Sequence, residues 1–415
     1  MATMAFDVRS IRKEVRTSDF ETNTAIRNKS VLDQAVATAV DFAKNSTGTI
    51  SFSSHERRGK KVFQASEFCH TLVIRKLNNN LRRITRVKQA NRENIVNCLR
   101  SFLAEGVDYR VYRFDIKSFY ESINRDDLLA ELTSDVGFPR DSLLAIKIFF
   151  ASLESQGIPG LPRGVPLSAT LSEYVMRTFD RNVRSGKGIF FYARFVDDIV
   201  IITDRKETRK DFVKCIKRYL PKGLNLNQSK TRITEAQNPP IKKSATPNMV
   251  GRVEFLGYCF KIFERQKDSA NRIARKVDVD IAGYKVKKIK SRIALSVLKF
   301  LKDNSFKDLE DRMKFITGSY KMYDYEKSIV RKLGLRYSYS MINISSSVAI
   351  SDLDAFWRRI VLNRNGKLGK LYSSISREQR DNLLSLTFSR GFSNNIYYHF
   401  SGERMQDLVR CWNYA

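Results

Sequence analysis

The sequence predicts an α+β fold, a sheet covered by helices on one face and followed by helices that run to the C-terminus. Two observations predict it. Across residues 63–262, short runs rich in β-branched and aromatic residues mix with stretches of helical apolar period, in the order βααβαββ. Beyond Phe263 the pattern turns helical and, at first, strongly basic.

Each element follows from its local pattern. Residues 1–60 are polar and mixed, with an amphipathic helix over Val31–Phe42. From Phe63 to Leu103 the chain is heavily basic: Arg75, Lys76, Arg82, Arg83, Arg86, Lys88 and Arg92 interleave with apolar residues. The spacing of Ile95, Leu99 and Leu103 predicts a helix over Arg92–Leu103. Tyr109–Ile116 reads as a strand, and Arg125–Thr133 and Arg140–Leu153 as helices. Gly157–Pro166 is a loop by its glycines and prolines, opening a helix over Ser168–Asn182 with Ser168 or Thr170 as N-cap. Ile189–Thr203 is a hairpin with aspartates at its turn, and Lys206–Leu220 a helix. Lys230–Thr234 and Phe255–Ile262 are strands, with a loop over Asn238–Met249. No repeat or low-complexity tract interrupts this plan. The expected divisions are 1–62, 63–262, 263–345 and 346–415.

Composition narrows the function. The 415 residues are enough for two or three domains, and 42% are hydrophobic, ample for a packed core. Seventy-five Lys and Arg against 44 Asp and Glu give a formal charge of +31, which points to a polyanionic partner. Five scattered cysteines, odd in number, argue for a reducing compartment and against a disulfide framework or zinc ribbon. The lone histidines His55, His70 and His399 cannot form a His-rich nuclease site. Without a long apolar run or a signal-peptide core, no membrane association is expected and a cytoplasmic location is.

The chemistry is carried by carboxylates. Asp115 ends one strand-like run, and Asp197-Asp198 lie between two others. Acids flanked by buried strand are costly unless something neutralises them. Two divalent cations, roughly 3.5–4 Å apart, would do so, and in-line nucleotidyl transfer uses such a pair. The pattern therefore implies a nucleic-acid polymerase.

Five segments in order then carry a resemblance. They are Phe114-Asp115-Ile116-Lys117-Ser118-Phe119-Tyr120, the Gly157–Thr170 loop with Pro162-Arg163-Gly164, Phe195-Val196-Asp197-Asp198, Leu224–Thr231, and Phe255-Leu256-Gly257-Tyr258. Together they resemble motifs A to E of reverse transcriptases, particularly bacterial ones, over roughly residues 70–262. The resemblance implies a right-hand polymerase: fingers and an antiparallel palm sheet over 63–262, a basic helical thumb over 263–345, and an all-helical C-terminal region. It also implies RNA-directed DNA synthesis with two Mg²⁺ ions per site, Mn²⁺ as a substitute, dNTPs as substrates and DNA as product. Asp115, Asp197 and Asp198 would be catalytic and, with the Ile116 carbonyl, would ligate metal. Lys230 would serve the leaving pyrophosphate as a catalytic cation.

Tyr120, beside Phe119, matches the steric gate that excludes a 2′-hydroxyl; a core role for its ring stays open. Lys76, Arg82, Arg83, Arg163 and Gly164 would complete the nucleotide site. Arg163 replaces the commoner Gln, so how the template is met is open, and Phe195 replaces the commoner Tyr. Phe255, Leu256, Gly257 and Tyr258 would grip the primer. Lys287 and Lys288, within the eight cations between Arg272 and Arg292, would sit on a thumb helix against the template–primer duplex.

The chain lacks the elements usual in retron enzymes and the His-rich nuclease of many group II intron enzymes. It most resembles the stand-alone antiphage-defence reverse transcriptases, including the class that works with a partner reverse transcriptase and a non-coding RNA. A structured non-coding RNA template, a partner reverse transcriptase or a homo-oligomer are accordingly expected. RNA polymerisation, protein-primed or template-independent synthesis, and a non-catalytic RNA-binding scaffold remain as alternatives.

Overall fold

The computed structural model describes residues 4–45, 48–57, 59–135, 137–237, 247–267, 271–324 and 329–412. The chain divides into two compact units, residues 1–95 with 108–235, and residues 96–107 with 236–415.

The first unit opens with α1 (Val8–Arg12), α2 (Asp19–Thr22) and α3 (Lys29–Asn45). A hairpin of β1 (Phe52–Arg57) and β2 (Lys60–Ala65) follows, turning at Gly59 with φ 69°. Helix α4 (Phe68–Thr85) buries Leu72, Val73, Leu77 and Leu81. Helix α5 spans Arg92–Leu103, most of it belonging to the second unit, with Ile95, Leu99 and Leu103 buried as their spacing predicts. Then come β3 (Tyr109–Asp115), α6 (Arg125–Ser134), α7 (Arg140–Ser155), α8 (Pro166–Arg184), β4 (Ile189–Phe195), β5 (Asp198–Thr203), α9 (Arg209–Tyr219) and β6 (Arg232–Ala236).

Strands β4, β5, β3 and β6 lie side by side in that order, with β5 antiparallel to both its neighbours. Period-2 alternation sends Tyr112, Phe114, Ile199 and Ile201 into the main core. The same alternation puts Arg113 and Asp115 on the other face of β3. The helix after the glycine-rich loop begins with Pro166 at its first turn, preceded by Val165; Ser168 and Thr170 are buried within it rather than capping it.

The second unit holds an antiparallel sheet of β7 (Met249–Phe255), β8 (Tyr258–Lys267) and β9 (Ile273–Ile281). Long α10 (Gly283–Asp303), α11 (Phe306–Thr317), the hairpin β10 (Ser319–Asp324) and β11 (Ile329–Gly334), and α12 (Leu335–Ser338) follow. Helices α13 (Val348–Leu362), α14 (Gly366–Ser374), α15 (Arg377–Ser385) and α16 (Phe388–Ser393) lead to β12 (Tyr397–Tyr398) and α17 (Gly402–Arg410). Strand β12 joins the edge of β10 in parallel.

Three expectations are corrected here. The chain beyond Phe263 is not all helical: β9, β10, β11 and β12 lie in it. The Arg272–Arg292 run is half strand and half helix, because Val277, Val279 and Ile281 alternate with charged residues and pair with β8. Phe255–Ile262 is not one strand; a two-residue turn, Leu256 (φ 47°) and Gly257 (φ 83°), folds it into a hairpin. Of the expected loop over Asn238–Met249, residues 238–246 lie outside the described residues.

Candidate active site

Strand register builds the carboxylate cluster. Asp115 ends β3 directly opposite Asp198, the first residue of β5. Phe195 pairs with Asp198 across the β4–β5 hairpin, leaving Val196 and Asp197 as its turn. Val196 has φ 59°, a conformation that costs a β-branched residue roughly 1–3 kcal/mol and that here aims Asp197. The amide of Ile116 donates to the Asp197 carbonyl at 3.1 Å. On its other side the same segment is tied to the Leu224–Thr231 stretch. Lys117 N donates to Asn225 O at 2.9 Å, and Asn227 N to Asp115 O at 2.7 Å. Three distant segments thus meet at one strand end.

The electrostatics are those of acids waiting for a cation. Burial pushes the Asp198 carboxyl up to about 6, and the neighbouring Asp197 adds to the shift; Arg113, 3.8 Å away, opposes it. Burial also raises Asp197, as does the charge of Asp115. Asp115 is met differently. Lys230 Nζ donates to its Oδ2 at 2.8 Å, and Asn227 Nδ2 to its Oδ1 at 3.1 Å. The hydrogen bond to Asp115 holds the Lys230 ammonium above its usual range. Lys230 lies on a 3₁₀ turn just before β6 rather than in a strand.

Metal can be tested against this donor set. Three carboxylates and a backbone carbonyl are hard oxygen donors, which suit Mg²⁺. Two of the acids have elevated pKa values that a cation would reverse. The residues fit, provided the Lys230 ammonium yields its place on Asp115.

A second group surrounds Tyr120. Its ring rests edge-on against Phe119, which is buried in the core and so supports the tyrosine instead of reaching a nucleotide. The Arg163 guanidinium lies 5.3 Å from the Tyr120 ring centroid and grips Glu121 through two hydrogen bonds of 2.6 and 3.0 Å. Arg163 is therefore engaged with the Tyr120–Glu121 turn rather than held free for a template. Burial raises the Tyr120 hydroxyl, which stays protonated beside Ser172, and the residue lies close enough to feel Asp197.

Two of this loop's three glycines lie tight against protein. A Cβ on Gly160 (φ 52°) would come within 2.3 Å of the Tyr120 carbonyl oxygen, and one on Gly164 (φ 95°) within 2.7 Å of the Phe63 carbonyl oxygen. Phe63 N also donates to Arg163 O at 2.7 Å, which docks the β1–β2 hairpin on the loop. This hairpin brings Lys60 close enough to act on Glu121.

Other predicted residues fall elsewhere. Lys76 is buried in α4, where burial lowers its ammonium, and it lines a pocket with Arg82, Arg83 and residues of α1. None of the three aspartates lines that pocket. In the second unit, Phe255 and Tyr258 are buried in hairpin packing, and the Tyr258 hydroxyl donates to Ser338 O at 3.3 Å; only Leu256 and Gly257 form the turn itself. Lys287 is exposed on α10 and Lys288 is half-buried. Of their neighbours, Lys290 is bonded to Asp352 of α13 at 2.7 Å, and Arg275 is 3% exposed with its guanidinium on the carbonyls of Phe263, Val107 and Ala236.

Sequence reasoning missed Asn227, Lys60 and Arg194. The Arg194 side chain, 4% exposed, bonds Glu173 and Asp180 and donates to the Val196 carbonyl, bracing the turn that carries Asp197. Its pattern in sequence, one charge in an apolar strand, was the available signal.

A cluster of acids at the end of a small antiparallel sheet, with a lysine on one of them and a braced tyrosine nearby, has the makings of a nucleotidyl-transfer site. Residues 69–260 match the family model described as Reverse transcriptase (RNA-dependent DNA polymerase). Residues 69–260, a little under half of the chain, are thus similar to a reverse transcriptase domain. Among solved structures, apo telomerase from Candida tropicalis, truncated from its C-terminal domain, aligns at 16% identity with a TM-score of 0.30. The alignment covers 46% of this chain and 43% of that one, less than half the length of each. No curated protein matches the sequence.

Proposed function

We propose that the chain copies RNA into DNA at the Asp115, Asp197 and Asp198 cluster. The observation that carries this reading is the register that sets Asp115 opposite Asp198 with Asp197 on the adjoining turn. Asp115, Asp197, Asp198 and the Ile116 carbonyl would hold the Mg²⁺ pair, which when bound supplies charge neutralisation for phosphoryl transfer.

The chain's own groups do the rest. Lys230 neutralises Asp115 at rest, and once released its ammonium is free to donate a proton to the departing pyrophosphate. Tyr120, backed by Phe119 and covered by Arg163, excludes a ribose 2′-hydroxyl by volume, which favours DNA over RNA as the product. Positioning and charge supply most of the rate. The Leu256–Gly257 turn is assigned to the primer and Lys287 with Lys288 to the duplex, on motif order and charge.

The finer reading is a cytoplasmic bacterial antiphage-defence enzyme copying a dedicated structured non-coding RNA, alone or with a partner reverse transcriptase. It is supported by the motif resemblance. Sequencing the nucleic acid that co-purifies with the protein tests it; cellular RNA without a recurrent species would overturn it. For the activity itself, Asp115→Ala and Asp197→Ala should each abolish dNTP incorporation on a primed RNA template while RNA binding persists. Retention of more than a few per cent of activity would refute the assignment.

A further inference from the structure

The start of helix α4 carries a group of side chains that the proposed polymerase chemistry does not use. Among the described residues, Glu67, Cys69 and His70 each offer a metal-ligand atom, and these atoms lie within 4.8 Å of one another. Local structure brings them together. Glu67 is the N-cap residue of α4, in extended backbone, and its side chain makes no capping bond to the helix. Cys69 and His70 follow at the second and third helical positions. Side chains at the N-cap and the third position lie beside each other, the proximity that a capping box exploits. The Cys69 thiol donates to Glu67 Oε2 at 3.5 Å.

His70 supplies a second, independent observation. It is 6% exposed, and its Nδ1 is buried with no hydrogen-bond partner. Buried polar atoms ordinarily find a partner, so an imidazole nitrogen without one calls for an explanation. The ring packs against Phe42 of α3, 4.6 Å between centroids. That contact accounts for the apolar face of the ring but not for its unpartnered nitrogen. Burial also lowers the imidazolium, which leaves the ring neutral and able to offer a lone pair. Glu67 is exposed, which gives the group a path to solvent.

We propose that Glu67, Cys69 and His70 bind a divalent ion of the zinc class, with water completing its shell. Thiolate, imidazole and carboxylate are the donors that Zn²⁺ takes, and three protein ligands plus water make a four-coordinate site. A thiolate ligand disfavours Mg²⁺, so this site differs in chemistry from the all-oxygen cluster around Asp115. On binding, the Cys69 S–H bond breaks, its proton passes to the buffer and a sulfur–metal bond forms, with no change of oxidation state. The ion would tie the residue two places past the end of β2 to the first turn of α4. It would thereby stiffen the junction from which the β1–β2 hairpin reaches Arg163 through Phe63. None of the three ligands serves the proposed polymerisation, so the site stands independently of it.

The test uses Co²⁺ as a spectroscopic probe on the full chain, stripped with EDTA, desalted and held in excess Mg²⁺ to occupy the carboxylate cluster. A single Co²⁺ per chain should bind with a thiolate-to-cobalt charge-transfer band and the visible absorption of a four-coordinate ion. An equivalent of Zn²⁺ should abolish both, because Zn²⁺ binds such sites more tightly than Co²⁺. Cys69→Ala should remove the charge-transfer band. His70→Gln and Glu67→Gln should each weaken Zn²⁺ binding roughly tenfold or more. The control is Cys98→Ala, an exposed thiol on α5, which should keep the wild-type spectrum and affinity.

Zn²⁺ at about a hundred times its Kd should raise the wild-type melting temperature by roughly 5–10 °C above that in Mg²⁺ alone. Asp197→Ala should show the same rise while losing dNTP incorporation, which separates this site from the polymerase reading. A wild-type spectrum without the charge-transfer band would overturn the proposal. So would a band that survives in Cys69→Ala or disappears in Cys98→Ala. Should Cys69→Ala not fold, Glu67→Gln decides alone, because its side chain is exposed, and wild-type Zn²⁺ affinity in that variant would equally refute the site. A rise in melting temperature that vanishes in Asp197→Ala would put the ion on the catalytic carboxylates and overturn the proposal as well.

Discussion

Replacing Asp198 with Asn should make the metal-free protein more stable, although it removes a candidate metal ligand. In the folded chain the Asp198 carboxyl is pushed up to about 6 from an ordinary 3.8, by burial first and by Asp197 second. A group raised in the folded state costs stability when ionised, above about pH 6. That cost is relieved as pH falls through 6 and is gone below the unfolded value. A shift of about two units corresponds to about 3 kcal/mol as an upper bound. With 30% of the side chain exposed, solvent screening brings the expectation to about 1–2 kcal/mol. Losing the charge also weakens the pull on Arg113, but at 3.8 Å that is a long contact and subtracts little.

Thermal unfolding in EDTA at pH 7.5 and pH 5 reads this directly. For a folding unit of roughly 200 residues, about 2–4 °C per kcal/mol puts the variant roughly 2–8 °C above wild type at pH 7.5. The gap should shrink to roughly half at pH 5, because the unfolded chain still ionises there, and close only below the ordinary value of 3.8. Added Mg²⁺ should then stabilise wild type more than the variant, inverting or closing the gap at pH 7.5. A variant no more stable than wild type in EDTA, or a gap independent of pH, would refute the view that these acids are held in a strained, cation-seeking state.

Other perturbations separate the roles of neighbouring residues. Lys230→Gln should lower the melting temperature of the metal-free protein and enlarge the rise that Mg²⁺ gives, because the ammonium at 2.8 Å from Asp115 no longer competes; single-turnover incorporation should fall roughly 10- to 100-fold. Tyr120→Val should raise ribonucleotide relative to deoxynucleotide incorporation about tenfold in a variant that still polymerises, and an unchanged ratio would make Tyr120 a packing residue only. Arg194→Leu leaves the half-buried Glu173 and Asp180 without their cation, so urea unfolding should show a loss of about 2–3 kcal/mol.

How much of this was legible depends on the range of each signal. The β4–β5 hairpin and α5 could be read because apolar periodicity is local, and the cores they face reward it. The Leu256–Gly257 turn was hidden by apolar neighbours on both sides, although the glycine was its clue. Strand β9 went unread because its cations drew attention before its alternation did: Val277, Val279 and Ile281 are a period of two in plain view. The carboxylates were legible as chemistry, since acids between apolar strands demand a counter-charge.

What supplies that counter-charge at rest was not legible. The Lys230–Asp115 and Asn227–Asp115 bonds join residues more than a hundred positions apart, and nothing local to either end announces them. The glycines of the Gly157–Pro166 loop show the same limit from the other side. Sequence says only that backbone must come close to something there. The structure supplies Tyr120 for Gly160 and Phe63 for Gly164, so these two glycines serve to hold the Tyr120 turn and the β1–β2 hairpin against the loop. A substitution such as Gly164→Ala would therefore act by displacing the hairpin that carries Lys60, and a loss of nucleotide affinity would follow without any contact between Gly164 and the nucleotide.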